Sequence, residues 1–328
     1  NEFRDQDESL PPGMGLTSIE ISHILKRCGI KTHICNPGKE LVPYQKYIYG
    51  SVESGYPALL FFGFEDVEGG KKRQLYHVIP IFGHTFNEDA WVGEANLAYF
   101  KYRKITKSLS SNNWVSNFIG HDDNTGSNYC IPQHYLEAKR VCKQNVNKIG
   151  NELICTKQKG YTAFAIGTYP KQIKINALKA EVKSANYLFT ILGQLPEEFS
   201  GGWSNRLYRY HKSGRTVLRP MLITGEEYRN HLRNVRNWEN TETFKKHFVK
   251  AFSSLDNDQL WIVEFSIPDL FSANRRKIAE VILNARQESG NLSDFKEFYF
   301  ARLPGCFAFI KEKPKQNEKG KLGNPIFE

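Results

Sequence analysis

The segment Pro57 to Phe64, PALLFFGF, is apolar at almost every position over the length of one strand. A strand covered on one face alternates apolar with polar residues, so an unbroken run predicts a strand covered on both faces, near the middle of a sheet. A second run, Leu75 to Phe82, follows across Glu65 to Arg73, which holds Gly69-Gly70 and three consecutive basic residues. Two runs joined by such a segment predict a hairpin. Further strands are expected at Trp114 to Gly120 and at Ile131 to Tyr135.

Helices flank these runs. Thr17 or Ser18 can cap a helix whose apolar stripe is Ile19, Ile21, Ile24 and Leu25, and Gly29 stops it. Ile30 to Cys35 reads as a strand, and Tyr44 to Glu53 places Tyr44, Tyr47, Ile48 and Val52 at helical spacing. Polar Lys143 to Gly160 is the expected boundary, with Leu153 to Cys155 as a short strand inside it. Beyond it the pattern predicts strand Tyr161–Gly167, helix Ile175–Leu192 and strands Leu207–Tyr210 and Val217–Ile223. Helices Gly225–Val235 and Thr241–Leu255, strand Leu260–Ile267 and an amphipathic helix Asn274–Arg286 come next. A hairpin, Phe298–Ala301 with Cys306–Ile310, closes the pattern.

The expected class is α+β. Residues 1–150 form a first domain with a mostly antiparallel sheet, 151–310 a basic second domain of α/β type, and 311–328 a lysine-rich tail. No run of 18 apolar residues occurs among the 328, so no membrane partner is expected. Six cysteines without a CxxC pair argue for reduced thiols and a cytoplasmic setting rather than a zinc ribbon. The net charge of +10 is concentrated in the second half and favours acidic partners, nucleic acid included.

The runs YHVIPIFGHT and NFIGHDDNTG each deliver a histidine or a carboxylate to a turn. His77 opens its strand, where an imidazole can take a proton from a thiol or hydroxyl. Asp122 follows the next strand and can fix the tautomer of that imidazole. The plain alternative is a partly buried histidine and an Asx turn before Gly126.

Together, the helix ending at Gly29, YGSVESGYPALLFF, HVIPIFGH and FIGHDDNTG resemble the papain-like cysteine peptidases, closest to the bacteriocin-leader-processing branch and related bacterial proteins. The likeness covers roughly residues 15 to 136. It implies a papain-like first domain, His77 as the catalytic histidine and Asp122 as its aspartate, with Asp123 able to take that part. It implies thiol-dependent hydrolysis of a peptide or amide bond in a peptide or protein substrate, with no cofactor, or else a silent relative of such an enzyme. Glu88 to Ser111 then reads as an insertion over or beside the cleft. The family's glutamine-then-cysteine segment would lie upstream of Gly15, and Gln6 is not followed by a cysteine, so the nucleophile is unidentified and expected ahead of Asn1. Cys28 at a helix end, Cys35 at a strand end and Cys130 after the aspartate are expected to be structural.

Two other readings use the same chain. A metal-dependent hydrolase would draw on His77, His84, His121, Asp122 and Asp123, with His77, His121 and Asp122 as the core set. Against it, His77 and His84 are seven apart and fall on opposite faces of an unbroken strand, so no metal is expected. A non-catalytic interaction module would bind nucleic acid or a protein through Arg206, Arg209 and Arg215, interleaved with Trp203, Tyr208 and Tyr210. Arg229, Arg233 and Arg236 would add a basic helical stripe. The sequence does not indicate an oligomeric state.

Overall fold

The computed structural model describes residues 16–35, 44–68, 71–86, 108–123, 126–133, 141–149, 152–194, 202–234, 257–288, 296–303 and 306–309. The expected helix 241–255 lies outside these residues. α1 (Ser18–Arg27) begins where the sequence signals it. The Thr17 hydroxyl accepts from the Glu20 amide at 3.3 Å, and the Glu20 carboxylate accepts from the Thr17 amide at 2.6 Å. This reciprocal box satisfies two amides that the first helical turn leaves open. Gly29, at φ +78°, ends the helix in the left-handed region that side chains disfavour. Ser22 bonds Thr32 of β1 (Ile30–Cys35), while Ile19 remains exposed, so the apolar stripe is covered over part of its width.

α2 (Gln45–Val52) is buried along most of its length and packs Ile48, Tyr49 and Val52 against the first sheet. That sheet is built on the hairpin of β2 (Ala58–Glu68) and β3 (Lys71–Phe86), registered from Ala58–Ile81 to Glu68–Lys71. The two-residue β4 (Leu109–Ser110) leads through a 3-10 turn, Ser111–Trp114, into β5 (Val115–Asp122) and β6 (Gly126–Pro132). A further hairpin joins β7 (Val141–Ile149) to the long β8 (Glu152–Pro170). The antiparallel order is β1-β8-β2-β3-β5-β6, with β7 paired to β8. β2 is central, as its composition requires: Leu60 is buried toward α2, and Phe61 on the other face stacks on Phe164 at 3.8 Å.

The boundary moves relative to the sequence expectation. Polar 143–160 is the β7–β8 hairpin, and β8 continues between β1 and β2 in the first sheet. Apart from the short β4, the strands of the second sheet therefore follow Pro170 rather than residue 150. Polarity misled here because a hairpin can carry polar side chains while its backbone pairs are satisfied across the ladder.

α3 (Ala177–Gln194) packs Ala180, Ala185 and Leu188 over the second sheet. α4 (Gly202–Lys212) replaces the expected strand 207–210. Ser204, Leu207 and His211 are its buried residues, a three-and-four spacing that one face of a helix produces and a strand does not. β9 (Val217–Thr224) and α5 (Gly225–Asn234) come next, then β10 (Gln259–Ser266) and α6 (Pro268–Asn274). The expected helix 274–286 is β11 (Ala279–Asn284), buried at all six positions. The preceding helix has already ended at Arg275, at φ +56°. β12 (Phe298–Leu303) and β13 (Cys306–Phe309) pair as the predicted closing hairpin.

The second half, expected to be of α/β type, is thus an antiparallel meander, β9 to β13, with β4 alone joining in parallel at the edge of β9. α3 covers one face through Trp261, Val263, Val281 and Leu283, and Tyr228 of α5 joins Leu260, Ile262, Ile282 and Phe300 on the other. The fold is α+β throughout. α2 and α3 meet between the sheets, joined by the buried ion pair of Lys46 with Glu181. Among the described residues no helix is long and apolar enough to cross a membrane.

Candidate functional site

The site forms where β5 ends beside the interior of β3. His77 does not open its strand as expected but lies within β3, opposite Phe62 of β2, because pairing with β2 carries the strand back to Lys71. Ile79 and Ile81 point into the core under α2, and His77 lies on the same face, two residues beyond Ile79. On β5 the burial alternates as Gly120 buried, His121 exposed and Asp122 buried, so Asp122 shares that face and His121 does not. Gly120 lets the strands approach: a Cβ there would meet Ile79 Cγ2 at 2.8 Å and the Pro80 carbonyl at 3.0 Å. The close approach brings the strand end to the imidazole.

His77 Nε2 lies 3.1 Å from Asp122 Oδ1 and 3.3 Å from Asp123 Oδ1. The Asp122 side chain is 10% exposed, that of His77 24% and that of Asp123 78%. One carboxylate is therefore built into the end of β5, and the other reaches in from solvent. Every contact of His77 among the described residues uses Nε2, which leaves Nδ1 for a reacting group. The structure brings Asp122 and Asp123, offered by the sequence as alternatives, to the same nitrogen of His77.

His121 does not join the cluster, because the pleat turns it to the opposite face. His84 does share the face of His77, contrary to the spacing argument. Phe82 is an extra residue in β3, since Ile81 pairs with Gly120 and Gly83 with Ile119. That bulge reverses the alternation, and His84 turns toward α2 against the Tyr49 ring at 5.2 Å. There it is held by Glu53 at 2.5 Å and is committed away from the candidate site.

The cysteines with described side chains do not reach His77. Cys35 lies in register with Ala165, Leu60 and Ile79, three strand spacings from β3, or about 14 Å. Cys130 pairs with Ile119, on the face opposite Asp122, and Cys28 caps the end of α1. The side chains of Cys142, Cys155 and Cys306 lie outside the described residues.

The basic residues are divided. Arg206 and Arg209 project from α4, and Arg215 follows it, lying 5.7 Å from the Tyr210 ring. α4 packs on α3, whereas Arg229 belongs to α5 on the other face of the second sheet. The side chain of Arg233 lies outside the described residues, as do Trp203 and Arg236. Arg206 and Arg209 thus lie on a different face of the second sheet from Arg229, and the stripe expected of Arg229, Arg233 and Arg236 lies largely outside the described residues.

Sequence reasoning missed a charged row across the second sheet. Arg219, Glu264, Glu280 and Arg302 are direct cross-strand neighbours on β9, β10, β11 and β12. Lys277 bridges Glu264 at 2.8 Å and Glu280 at 2.7 Å, and Tyr228 donates to Glu280 at 2.5 Å. Burial pushes the Glu280 carboxyl up, but Lys277 and Arg302 outweigh it and hold it at about 2. The signal was present: each of these strands carries a single charge inside an apolar run, as in VLRPML, WIVEFS and AEVILN.

No family model, curated protein or solved structure matches this chain.

Proposed function

We propose that this chain carries the acid–base half of a thiol-dependent hydrolase of peptide or amide bonds, with a papain-like first domain. The observation that carries the reading is the contact of His77 Nε2 with Asp122 Oδ1 at 3.1 Å, with Nδ1 left unengaged among the described residues. Asp122 accepts the Nε2 hydrogen, fixes the tautomer and stabilises the imidazolium formed during reaction. Nδ1 takes the proton of a thiol, the thiolate attacks the carbonyl carbon, and the same nitrogen returns the proton to the leaving amine. Asp123 adds a second carboxylate near the developing cation. The thiol is one other than Cys28, Cys35 and Cys130. Those three form no disulfide among the described residues, which accords with a reducing, cytoplasmic setting.

A thiol-directed activity probe tests this on protein expressed from the full gene. Labelling at neutral pH should fall by about a hundredfold in His77→Ala and by less in Asp122→Asn, in line with loss of general-base assistance. Absence of labelling in the folded wild type would sink the hydrolase and leave a non-catalytic interaction module. The exposed group of Arg206, Arg209 and Arg215 supports that second reading. Its test is salt-sensitive binding of short RNA or DNA that Arg206→Glu with Arg209→Glu abolishes.

A further inference from the structure

We propose that His77, Asp122 and Asp123 form a divalent-metal site of the zinc or manganese type, and that its occupancy silences His77 as a base. The binding claim stands on geometry alone. One ligand atom from each of the three residues fits within a 4.8 Å group. Nε2 lies 3.1 Å and 3.3 Å from the two carboxylate oxygens. Donors about 2.1 Å from a common ion are about 3.0 Å apart at octahedral angles and about 3.4 Å apart at tetrahedral ones, so both separations suit ligands of one ion.

A hydrogen bond accommodates this arrangement less completely. Nε2 carries at most one hydrogen, which can lie along the line to one oxygen, while a cation attracts both carboxylates at once. Imidazole nitrogen with carboxylate oxygen suits zinc, manganese or iron rather than copper(I) or calcium. Two ligands belong to strands that fix them, and Asp123, 78% exposed, gives the ion a path from water.

The silencing claim rests on the hydrolase reading above. An imidazole that coordinates through Nε2 is neutral and keeps its hydrogen on Nδ1. That nitrogen then has no lone pair for the thiol proton. Metal binding and base function therefore exclude each other at His77. Removing the metal restores the Nε2 contact with Asp122 and frees Nδ1.

Calorimetric titration of the chain with Zn2+ and with Mn2+ at neutral pH tests the binding claim. One ion per chain is expected. His77→Ala and Asp122→Asn should weaken affinity by more than about tenfold, the loss that even an outer partner of a metal site brings. Asp123→Ala, at an exposed position, should do so with the fold intact by circular dichroism, and His121→Ala should have no effect. No binding to the folded wild type, or binding undiminished in Asp123→Ala and Asp122→Asn, overturns the site. The thiol probe, used on protein from the full gene, then separates the two readings. Labelling suppressed by saturating Zn2+ and restored by chelator supports silencing, and labelling unaffected by bound Zn2+ overturns it. If the ion binds but nothing labels with or without chelator, the hydrolase reading and its silencing fall while the metal site stands.

Discussion

Glu53, at the end of α2, and Arg219, in the middle of β9, join the first layer of the fold to the second. Arg219 Nε donates to Glu53 Oε1 at 2.5 Å, and Glu53 Oε2 meets His84 Nε2 at 2.5 Å. The Glu53 side chain is 5% exposed. Burial pushes its carboxyl up, but the His84 hydrogen bond and the Arg219 charge outweigh burial and hold it below the ordinary value.

Removing this carboxylate should be costly. Glu53→Ala leaves Arg219 and His84 without their shared acceptor, and breaking a buried pair from one side costs about 3–5 kcal/mol. Urea denaturation at pH 7 reads this directly. A loss below about 1 kcal/mol would mean that solvent or Glu264 replaces Glu53 at little cost. Arg219 already lies 3.5 Å from Glu264, so the double variant Glu53→Ala with Glu264→Ala should lose more than the sum of the singles.

The charged row on the second sheet sets an acid limit. Glu280 is fully buried, and its carboxyl is lowered from 4.5 to about 2, chiefly by Lys277 and Arg302 working against burial. A depressed carboxyl contributes stability above its unfolded value and loses it as pH falls. This contribution is therefore complete above about pH 4.5 and disappears between there and about pH 2. On linkage grounds it is on the order of 3 kcal/mol. Stability measured from pH 5 to pH 2.5 should decline more gently in Glu280→Gln than in the wild type. Equal slopes would show that Glu280 does not set the limit.

The elements read from sequence are those whose local chemistry and tertiary role agree. The Thr17–Glu20 box and Gly29 bound α1, and PALLFFGF is a strand because both its faces are covered. The failures lie where one pattern serves two structures. AEVILN can be laid on a helix, but β-branched Val281 and Ile282 sit in a strand packed by α3 on one side and the Tyr228 cluster on the other. LYRY alternates like a strand, yet burial at Ser204, Leu207 and His211 follows a helix. For the site, His77 and Asp122 were legible because the one precedes and the other follows an apolar run, although β3 extends past His77 to Lys71. The contribution of Asp123 and the loss of His121 depend on the pleat of β5. His84 was misplaced because a bulge at Phe82 leaves no mark in spacing.

Two glycines of the first sheet give a packing test. A Cβ on Gly167 would lie 2.8 Å from the Tyr47 carbonyl oxygen, a backbone atom of α2 that cannot swing aside. At Gly120 the nearest atoms belong to the side chains of Ile79 and Ile81. Overpacking a filled core costs about 1–3 kcal/mol, so Gly167→Ala should lie at the upper end and Gly120→Ala lower. Thermal denaturation ranks them. Gly120→Ala should also weaken the approach of β5 to β3, lowering the metal affinity of the His77 site. Unchanged affinity in that variant would separate the cluster from the closeness of those strands.

Lys46 and Glu181 make the opposite case to Glu53. Each residue is 2% exposed, between α2 and α3. Burial pushes the Glu181 carboxyl up and the Lys46 ammonium down, and in both it outweighs the attraction of the partner. The site thus disfavours both charged forms, whereas at Glu53 the partners overcome burial. A pair of this kind contributes little beyond apolar side chains of the same volume, but either member alone is an uncompensated buried charge. Lys46→Met and Glu181→Leu singly should each cost about 3–5 kcal/mol, and the double variant should lie within about 1 kcal/mol of the wild type or above it. Part of the gain will be lost because Ser110 gives up its hydrogen bond to Glu181. Urea denaturation of the four proteins completes the cycle. A double variant as unstable as the singles would show that the charges themselves hold α2 against α3.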